Sequence, residues 1–358
     1  MPNLPILSWQ KNKVLKKLAT LLDKKLPFVI YKNPNDNAIY IIQQKDNKIY
    51  TDKQLKQNGF FFAPFDFESH PVVVFPADKI SIKKYKPENI QAEQTDFSIH
   101  IEDEQYRDAH LLKVRKAIDA IQNKQLTKMI ISRKQSLSFN TFTPYYALLK
   151  LMAKHHSSFV YLWQHPKVGT WMGASPELLL QNKDGLLQTM ALAGTLPAAK
   201  KQKMKWQQKE IDEQQIVTDY ILEKLKNYTS NIQTKGPVSV FQGKIAHLKT
   251  QISAQIDDSQ LEKIIQSFHP TPAVCGLPTE KAKELIQKIE KYDRKYYTGF
   301  LGLKTLRKTE LFVNLRCMEI AEKHLNIYIG GGITKDSNAQ KEWEETQYKA
   351  AVLLDSIR

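Results

Sequence analysis

The sequence predicts an α+β protein: a single large mixed domain with substantial antiparallel sheet. Three observations predict it. Short apolar runs bounded by polar turns recur along the 358 residues, helical spacing interrupts them irregularly, and no repeat and no Gly/Ser- or Pro-rich linker divides the chain. An apolar content of 42% is ample for the core of such a domain.

Residues 1–100 carry strand-like runs, AIYIIQQ at 38–44 and HPVVVFP at 70–76, separated by polar turns, and are expected to form a strand-rich N-terminal lobe integrated with the sheet. From 104 to 123, Leu111, Val114, Ile118 and Ile121 follow helical spacing. TKMIISRKQSLSF then reads as a strand, PYYALLKLMAKHH as a helix, and FVYLWQH and TWMGASP as further strands. Irregular alternation continues, and a helix through Leu354 closes the chain.

Composition excludes several classes of function. No apolar run reaches the ~18 residues of a transmembrane helix, and MPNLPILSWQKNKV lacks the basic-then-apolar order of a signal peptide, so a cytoplasmic protein with no membrane partner is expected. The two cysteines, Cys275 and Cys317, lack metal-ligand spacing and sit in apolar surroundings that suit buried, reduced thiols. A net charge of +16 would ordinarily raise nucleic acid as a partner. The excess, however, is spread along the chain and is almost entirely lysine, with only seven arginines to supply bidentate contacts. The basic run Ala199–Lys209 reads as a solvated loop, no nucleic-acid partner is expected, and the charge suits steering of a small dianionic substrate.

Two Glu-x-x-Glu pairs carry the chemistry. Glu210 and Glu213 in KEIDEQQIVTDYI, and Glu342 and Glu345 in KEWEETQYKAAVLL, each share a helix face. Acidic residues at that spacing are common on solvated helices, but two such faces opposed would give an oxygen-only site suited to Mg2+. Gly330–Gly332 ends an apolar strand-like run just upstream of the second pair, where glycines let backbone N–H groups approach an anion. Together they read as a metal site holding an anionic substrate.

Further strings complete a pattern: GASPELLL at 173–180, ALAGTLP at 191–197, HPTPAVCG at 269–276, YYTGFLG at 296–302, LRCMEI at 315–320 and GGGITKDSNAQKEWEETQYK at 330–349. In this order they resemble the chorismate-utilising enzymes, a family that includes isochorismate, salicylate, anthranilate and aminodeoxychorismate synthases. The resemblance runs from about residue 105 to the C-terminus. It implies the family's fold, two antiparallel β-sheets packed together with helices outside, and makes residues 101–358 the chorismate-binding catalytic region. It also implies chorismate as the small-molecule substrate and Mg2+ as the cofactor, bound to the ring carboxylate.

The same resemblance implies roles residue by residue. Glu213 and Glu345 are expected to ligate the metal, with Glu210 and Glu342 ligating directly or through water. Lys128 matches the general base of the water-using members, which the ammonia-using members lack. An ammonium with a reference pKa of about 10.4 is a poor base, so burial or a neighbouring cation has to depress it. Glu177 matches the general acid that protonates the departing C4 hydroxyl, and needs a raised pKa to stay protonated. Arg316 matches the clamp on the enolpyruvyl carboxylate, aided by Tyr297, Lys349 and the backbone of Gly331 and Gly332. His247 is expected near the reacting face of the ring, with Gly194, Thr195 and Thr271 lining the ring site, while His269 serves motif geometry.

Each assignment has a plainer counterpart. A lysine-rich chain has many surface lysines, a lone histidine is often structural, and a glutamate after Ser-Pro can simply favour a helix start. With Lys128 and Glu177 in these roles, the expected reaction is water attack at C2, migration of the double bonds and loss of the C4 hydroxyl, giving isochorismate reversibly. A salicylate synthase, which goes on to eliminate pyruvate, would share nearly all these residues. A basic, non-catalytic RNA-binding protein is the alternative from another class. Menaquinone biosynthesis is the expected use of the product, with siderophore biosynthesis the other, and a monomer is expected.

Overall fold

The computed structural model describes residues 19–24, 26–77, 80–84, 96–98, 104–197, 205–242 and 245–357. The strands, in chain order, are β1 (Phe28–Lys32), β2 (Ala38–Gln43), β3 (Gly59–Ala63), β4 (Val73–Pro76), β5 (Ile80–Lys84), β6 (Asp96–Ser98), β7 (Lys128–Thr141), β8 (Phe159–His165), β9 (Gly169–Ser175), β10 (Leu178–Lys183), β11 (Leu186–Pro197), β12 (Ile232–Gln242), β13 (Ile245–Gln255), β14 (Gly276–Leu277), β15 (Phe300–Lys304), β16 (Lys308–Val313), β17 (Cys317–Ile320) and β18 (His324–Ile333). The helices are α1 (Glu104–Gln122), α2 (Pro144–Lys154), α3 (Gln208–Lys226), α4 (Leu261–Phe268), α5 (Thr279–Glu290) and α6 (Ala339–Ile357). Residues 19–23, ahead of β1, are also helical.

The strands form two antiparallel sheets. One has ten strands in the order β14-β7-β18-β17-β9-β8-β1-β2-β5, with β6 also on β7; the other has eight, in the order β12-β13-β11-β10-β16-β15-β3-β4. Strands of the first hundred residues are shared between them. β1, β2 and β5 extend the first sheet from β8, whereas β3 and β4 extend the second from β15.

Period-two alternation sorts the side chains into layers. In β1, Val29 and Tyr31 join a core with Phe62, Trp163, Trp171 and Phe312 from both sheets. Phe28 and Ile30 point the other way, into a core with Leu148 of α2 and Leu353 of α6. The inter-sheet layer is aromatic, with Phe62 stacked on Trp163 and Tyr296 at centroid distances of 4.4 and 4.3 Å. Each such ring withdraws roughly 150–250 Å² from water, which makes this layer the main apolar tie between the sheets. Across the outer face of the eight-stranded sheet, α3 and α4 contribute Val217, Ile221, Ile264 and Phe268. α1 and α5 pack Val114 and Ile286 on Met129 at the start of β7. Two antiparallel sheets with helices outside is the architecture the sequence predicts.

Three features position the site. β7 and β18 pair along their length, setting Gly330 opposite Ser132 and Gly332 opposite Ile130. β18 leads into α6 and β11 leads into α3, so both acidic helices start near one end of the sheets. A register shift between Ala193 and Thr195 in β11, with Gly194 at φ +72°, turns the strand towards α3. A Cβ at Gly194 would lie 2.9 Å from Glu210 O, so the close approach requires glycine. Among the described residues no helix is long and apolar enough to cross a membrane.

Candidate active site

A cavity open at its mouth collects most of the predicted residues: Glu177, Gly194, Thr195, Glu213, His247, Tyr297, Arg316, Gly331, Gly332 and Lys349 all line it. An adjoining outer cavity, sharing Thr195, is lined by Glu210, Glu342 and Glu345. Thr271 lines neither; its neighbours Ala273 and Val274 face the inner cavity instead. The Thr271 hydroxyl is buried without a hydrogen bond, and its carbonyl accepts from Val274 N and Cys275 N.

Glu177 follows β9 and precedes β10, with its N–H donating to Ser175 Oγ at 3.4 Å. Burial pushes its carboxyl up to about 8, against the opposing charges of Lys128 and Lys349. It is therefore protonated at neutral pH, the state a general acid needs. Lys128, the first residue of β7, is fully buried, and its Nζ lies 3.1 Å from Glu213 Oε1 without hydrogen-bond geometry. The sequence requires burial or a neighbouring cation for this lysine; the structure supplies burial, but the close neighbour is a carboxylate.

The acidic pairs lie on the helix faces expected of them, and lysines intervene. Glu345 Oε1 is 2.7 Å from Lys349 Nζ, which also donates to Gly330 O at 2.9 Å. Glu342 Oε1 accepts from Lys209 Nζ at 2.5 Å. Lys209 thus belongs to the first turn of α3, not to the solvated loop its basic neighbourhood suggests; residues 199–204 of that run lie outside the described residues. Glu210 caps its own helix, its Oε2 accepting from Gln207 N at 3.1 Å. Among the described residues no three His, Cys, Asp or Glu side chains are gathered closely enough to hold a metal as they stand.

The donor set nonetheless fits a hard dication. Glu342 Oε2 is buried and makes no hydrogen bond, and burial together with the Glu345 charge pushes its carboxyl up to about 7. The glycines of β18 make room for these carboxylates. A Cβ at Gly331 would lie 3.4 Å from Glu342 Oε2 and 3.5 Å from Glu345 Oε1, and one at Gly332 would lie 2.1 Å from Glu213 Oε1. Glu342 and Glu345 thus lie against one glycine of β18 and Glu213 against the next, and their oxygens are donors of the kind Mg2+ prefers.

At the other wall, His247 on β13 and Arg316 form a defined pair. His247 Nδ1 lies 3.1 Å from Gly194 O and 3.2 Å from Thr195 Oγ1, and its Nε2 is 3.2 Å from Arg316 Nη2. Burial, then the charges of Arg316 and Lys349, lower the imidazole to about 3. It is neutral, with Nδ1–H donating to the Gly194 carbonyl and Nε2 accepting from Arg316. Arg316 itself sits at φ +47° and is lowered to about 10 by burial, a cation aimed into an enclosed site. Tyr297 is buried and stacks on Tyr328 at 5.4 Å; its hydroxyl would come within 2.8 Å of a Cβ at Gly330. His269 lies outside the site, with Nε2 2.9 Å from Pro64 O and its ring stacked on Phe67, a structural histidine as expected. Both cysteines are buried and free.

Sequence reasoning passes over Lys209, the apolar floor of Leu315, Ile327 and Ile329, and a buried Glu290–Arg294 pair behind the cavity wall. A glutamate and an arginine four apart are too common to single out. Only the alternation of β18 could have marked Ile327 and Ile329.

The chain matches known proteins in sequence and in fold. The profile of the family described as chorismate binding enzyme matches residues 75–358. The vibriobactin-specific isochorismate synthase of Vibrio cholerae is 29% identical over 266 residues, 70% of this chain and 66% of that protein. Across this and two further relatives, the match spans 66%, 47% and 58% of the relative's length. Among solved structures, a 2,3-dihydroxybenzoate-specific isochorismate synthase assigned in Bacillus anthracis superposes with a TM-score of 0.81 at 22% identity, over 95% of this chain and 98% of that one. The menaquinone-specific isochorismate synthase of Escherichia coli superposes with a TM-score of 0.76 at 20% identity, over 93% and 89%.

Proposed function

The chain belongs to the family of chorismate-binding enzymes, and on that premise we propose that it converts chorismate to isochorismate by adding water at C2 with loss of the C4 hydroxyl. The observation that carries the reading is the contrast between two buried groups: Glu177, which lines the cavity and is pushed up to about 8, and Lys128, which lies outside the lining, beside the cavity-lining Glu213, and whose Nζ makes no hydrogen bond. In this reading Glu177 gives a proton and Lys128 takes one.

In this mechanism Lys128 removes a proton from water as its oxygen bonds to C2. The ring double bonds shift, the C4–O bond breaks with its electron pair on oxygen, and Glu177 supplies the proton with which it departs as water. Return of the proton from Lys128 to Glu177 resets the pair. Arg316, held by His247, binds a substrate carboxylate, with Tyr297 and Lys349 beside it. The enclosed cavity fixes water, ring and acid relative to one another, which supplies much of the acceleration.

Glu213, Glu342 and Glu345 would hold Mg2+, with Glu210 at the outer cavity directly or through water. When bound, Mg2+ withdraws electron density from the conjugated ring and eases loss of the C4 oxygen. The product serves menaquinone biosynthesis in this reading, and the protein acts as a monomer; the names of its relatives include vibriobactin-specific, 2,3-dihydroxybenzoate-specific and menaquinone-specific enzymes. A deletion strain that keeps its menaquinone would remove that assignment.

The test is product analysis by chromatography after incubation with chorismate and Mg2+, with an EDTA control. Isochorismate without pyruvate is expected. Salicylate with equal pyruvate would reassign the protein as a salicylate synthase, and no turnover with metal present would overturn the reading.

A further inference from the structure

The start of β7 lacks a full partner on one edge. β18 covers one side, but on the other β14 is only two residues long and faces just Lys128 and Met129. A Cβ at Gly276 would lie 2.4 Å from Lys128 O, so β14 presses against that strand end more closely than other residues allow. Past β14, Ile130 N reaches Cys275 O at 2.8 Å. The next groups along the edge, Ile130 O and Ser132 N, meet no strand among the described residues.

Two side chains take the place of that strand. Arg294 Nη2 donates to Ile130 O at 2.9 Å, and Glu290 Oε1 accepts from Ser132 N at 2.6 Å and from Ser132 Oγ at 2.7 Å. They are also joined to each other: Arg294 Nε and Nη2 donate to Glu290 Oε2 and Oε1 at 2.8 and 2.6 Å. The same guanidinium donates from Nη1 to Val274 O at 2.9 Å and to Thr298 Oγ1 at 3.3 Å. Both residues are buried, Arg294 at 3% and Glu290 at 2% exposure.

Apolar residues of similar volume would often be as stabilising as a buried ion pair. They would leave Ile130 O and Ser132 N buried and unpaired, and they could not fix several backbone segments from one planar group. The segments fixed here matter to the site. Ile130, Val274 and Thr298 line the cavity, Tyr297 is the neighbour of Thr298, and Lys128 is two residues from Ile130 on the same strand.

We infer that Glu290 and Arg294 are a positioning pair, standing in for a missing strand so that the Lys128 end of β7, the 271–275 loop and the Tyr297–Thr298 segment keep fixed separations. The consequence for turnover rests on the reading of Lys128 as the base; the latch on β7 does not.

The test compares Arg294→Met and Arg294→Lys with Val74→Ala, which weakens the core at the edge strand β4 and does not line the cavity. Arg294→Met is expected to speed amide exchange in residues 130–132 relative to β8 and β9. It is expected to lower kcat on the order of 10²-fold while KM for chorismate moves much less. Arg294→Lys keeps the charge without the fork and restores only part of kcat. Val74→Ala lowers the melting temperature while leaving kcat and exchange in β7 unchanged. A merely structural pair would show the reverse, a lowered melting temperature with wild-type kcat and wild-type exchange at 130–132, and that result overturns the inference. Should Arg294→Met not fold, Glu290→Gln, which retains an acceptor for Ser132 but loses the charge and the acceptor for Arg294 Nε, is read by the same measurements. If the wild type does not turn over chorismate, the proposed function falls, and exchange at 130–132 alone decides the latch: faster supports it, unchanged rejects it.

Discussion

Two buried ion pairs meet the first five residues of β7, and they are built in opposite ways. In Arg294–Glu290 the guanidinium makes five hydrogen bonds, two to its partner and three to Val274, Thr298 and Ile130. In Lys128–Glu213 the charges stand 3.1 Å apart, yet Nζ makes no hydrogen bond although Lys128 is fully buried. The guanidinium of the first pair has no donor left, which suits the joint inferred for it. The second keeps capacity in reserve beside the cavity. Burial is common to both, so unspent hydrogen-bonding capacity is what separates the proposed base from the Arg294 pair.

Variants should separate the two pairs on this basis. Lys128→Met is expected to lower kcat by ~10²–10⁴-fold, the usual contribution of a positioned base, with little change in chorismate binding measured by titration. Strong turnover in that variant would erase the contrast.

Glu177 sharpens the comparison through pH. Its folded value of about 8 lies above the ordinary 4.5, so its proton is held below about 8 and lost above it. The kcat/KM profile of the wild type is expected to fall as pH rises through about 8. Stability carries the same sign: the folded state binds a proton the unfolded state releases, so stability declines as pH rises from about 4.5 to about 8. Thermal melts across that window should slope downward, and Glu177→Gln should flatten the slope.

Smaller effects are expected towards the outer cavity. Mg2+ should raise the melting temperature of the wild type by binding the folded state, and Glu342→Gln should shrink that rise. An undiminished rise would remove Glu342 from the metal site. The exposed Lys288–Glu284 pair marks the floor, since solvent screens it; Lys288→Ala should leave both melting temperature and turnover unchanged.

Legibility in the sequence followed the range of the interactions. α1, β7, α2 and α6 could be read because their periodicity is local, and the acidic pairs because three-residue spacing on a helix is local too. The sharing of early strands between the sheets could not, since it rests on pairings such as Phe28 with Gln164 and Phe62 with Leu301. Nor could the lysine partners of the glutamates: Lys128 and Glu213 come from a strand and a helix far apart in the chain. Lys209 was obscured because the cap of α3 is Gln207, not the Ser, Thr, Asp or Asn that usually announces a helix start. Glu290 and Arg294 resemble an ordinary helical pair, but Lys291 at φ +56° ends α5 between them and turns Arg294 back onto β7. The raised carboxyl of Glu177 depends on a cavity wall assembled from both sheets, which Leu178–Leu180 hint at but cannot establish.

The most direct test of the account is the origin of the oxygen at C2. In water enriched in ¹⁸O, with Mg2+ and chorismate, product formed at early times should be isochorismate bearing one ¹⁸O at C2, and Lys128→Met should form it far more slowly. Unlabelled isochorismate would mean that the C4 hydroxyl migrates within the substrate, and would contradict the assignment of Lys128 and Glu177 as base and acid.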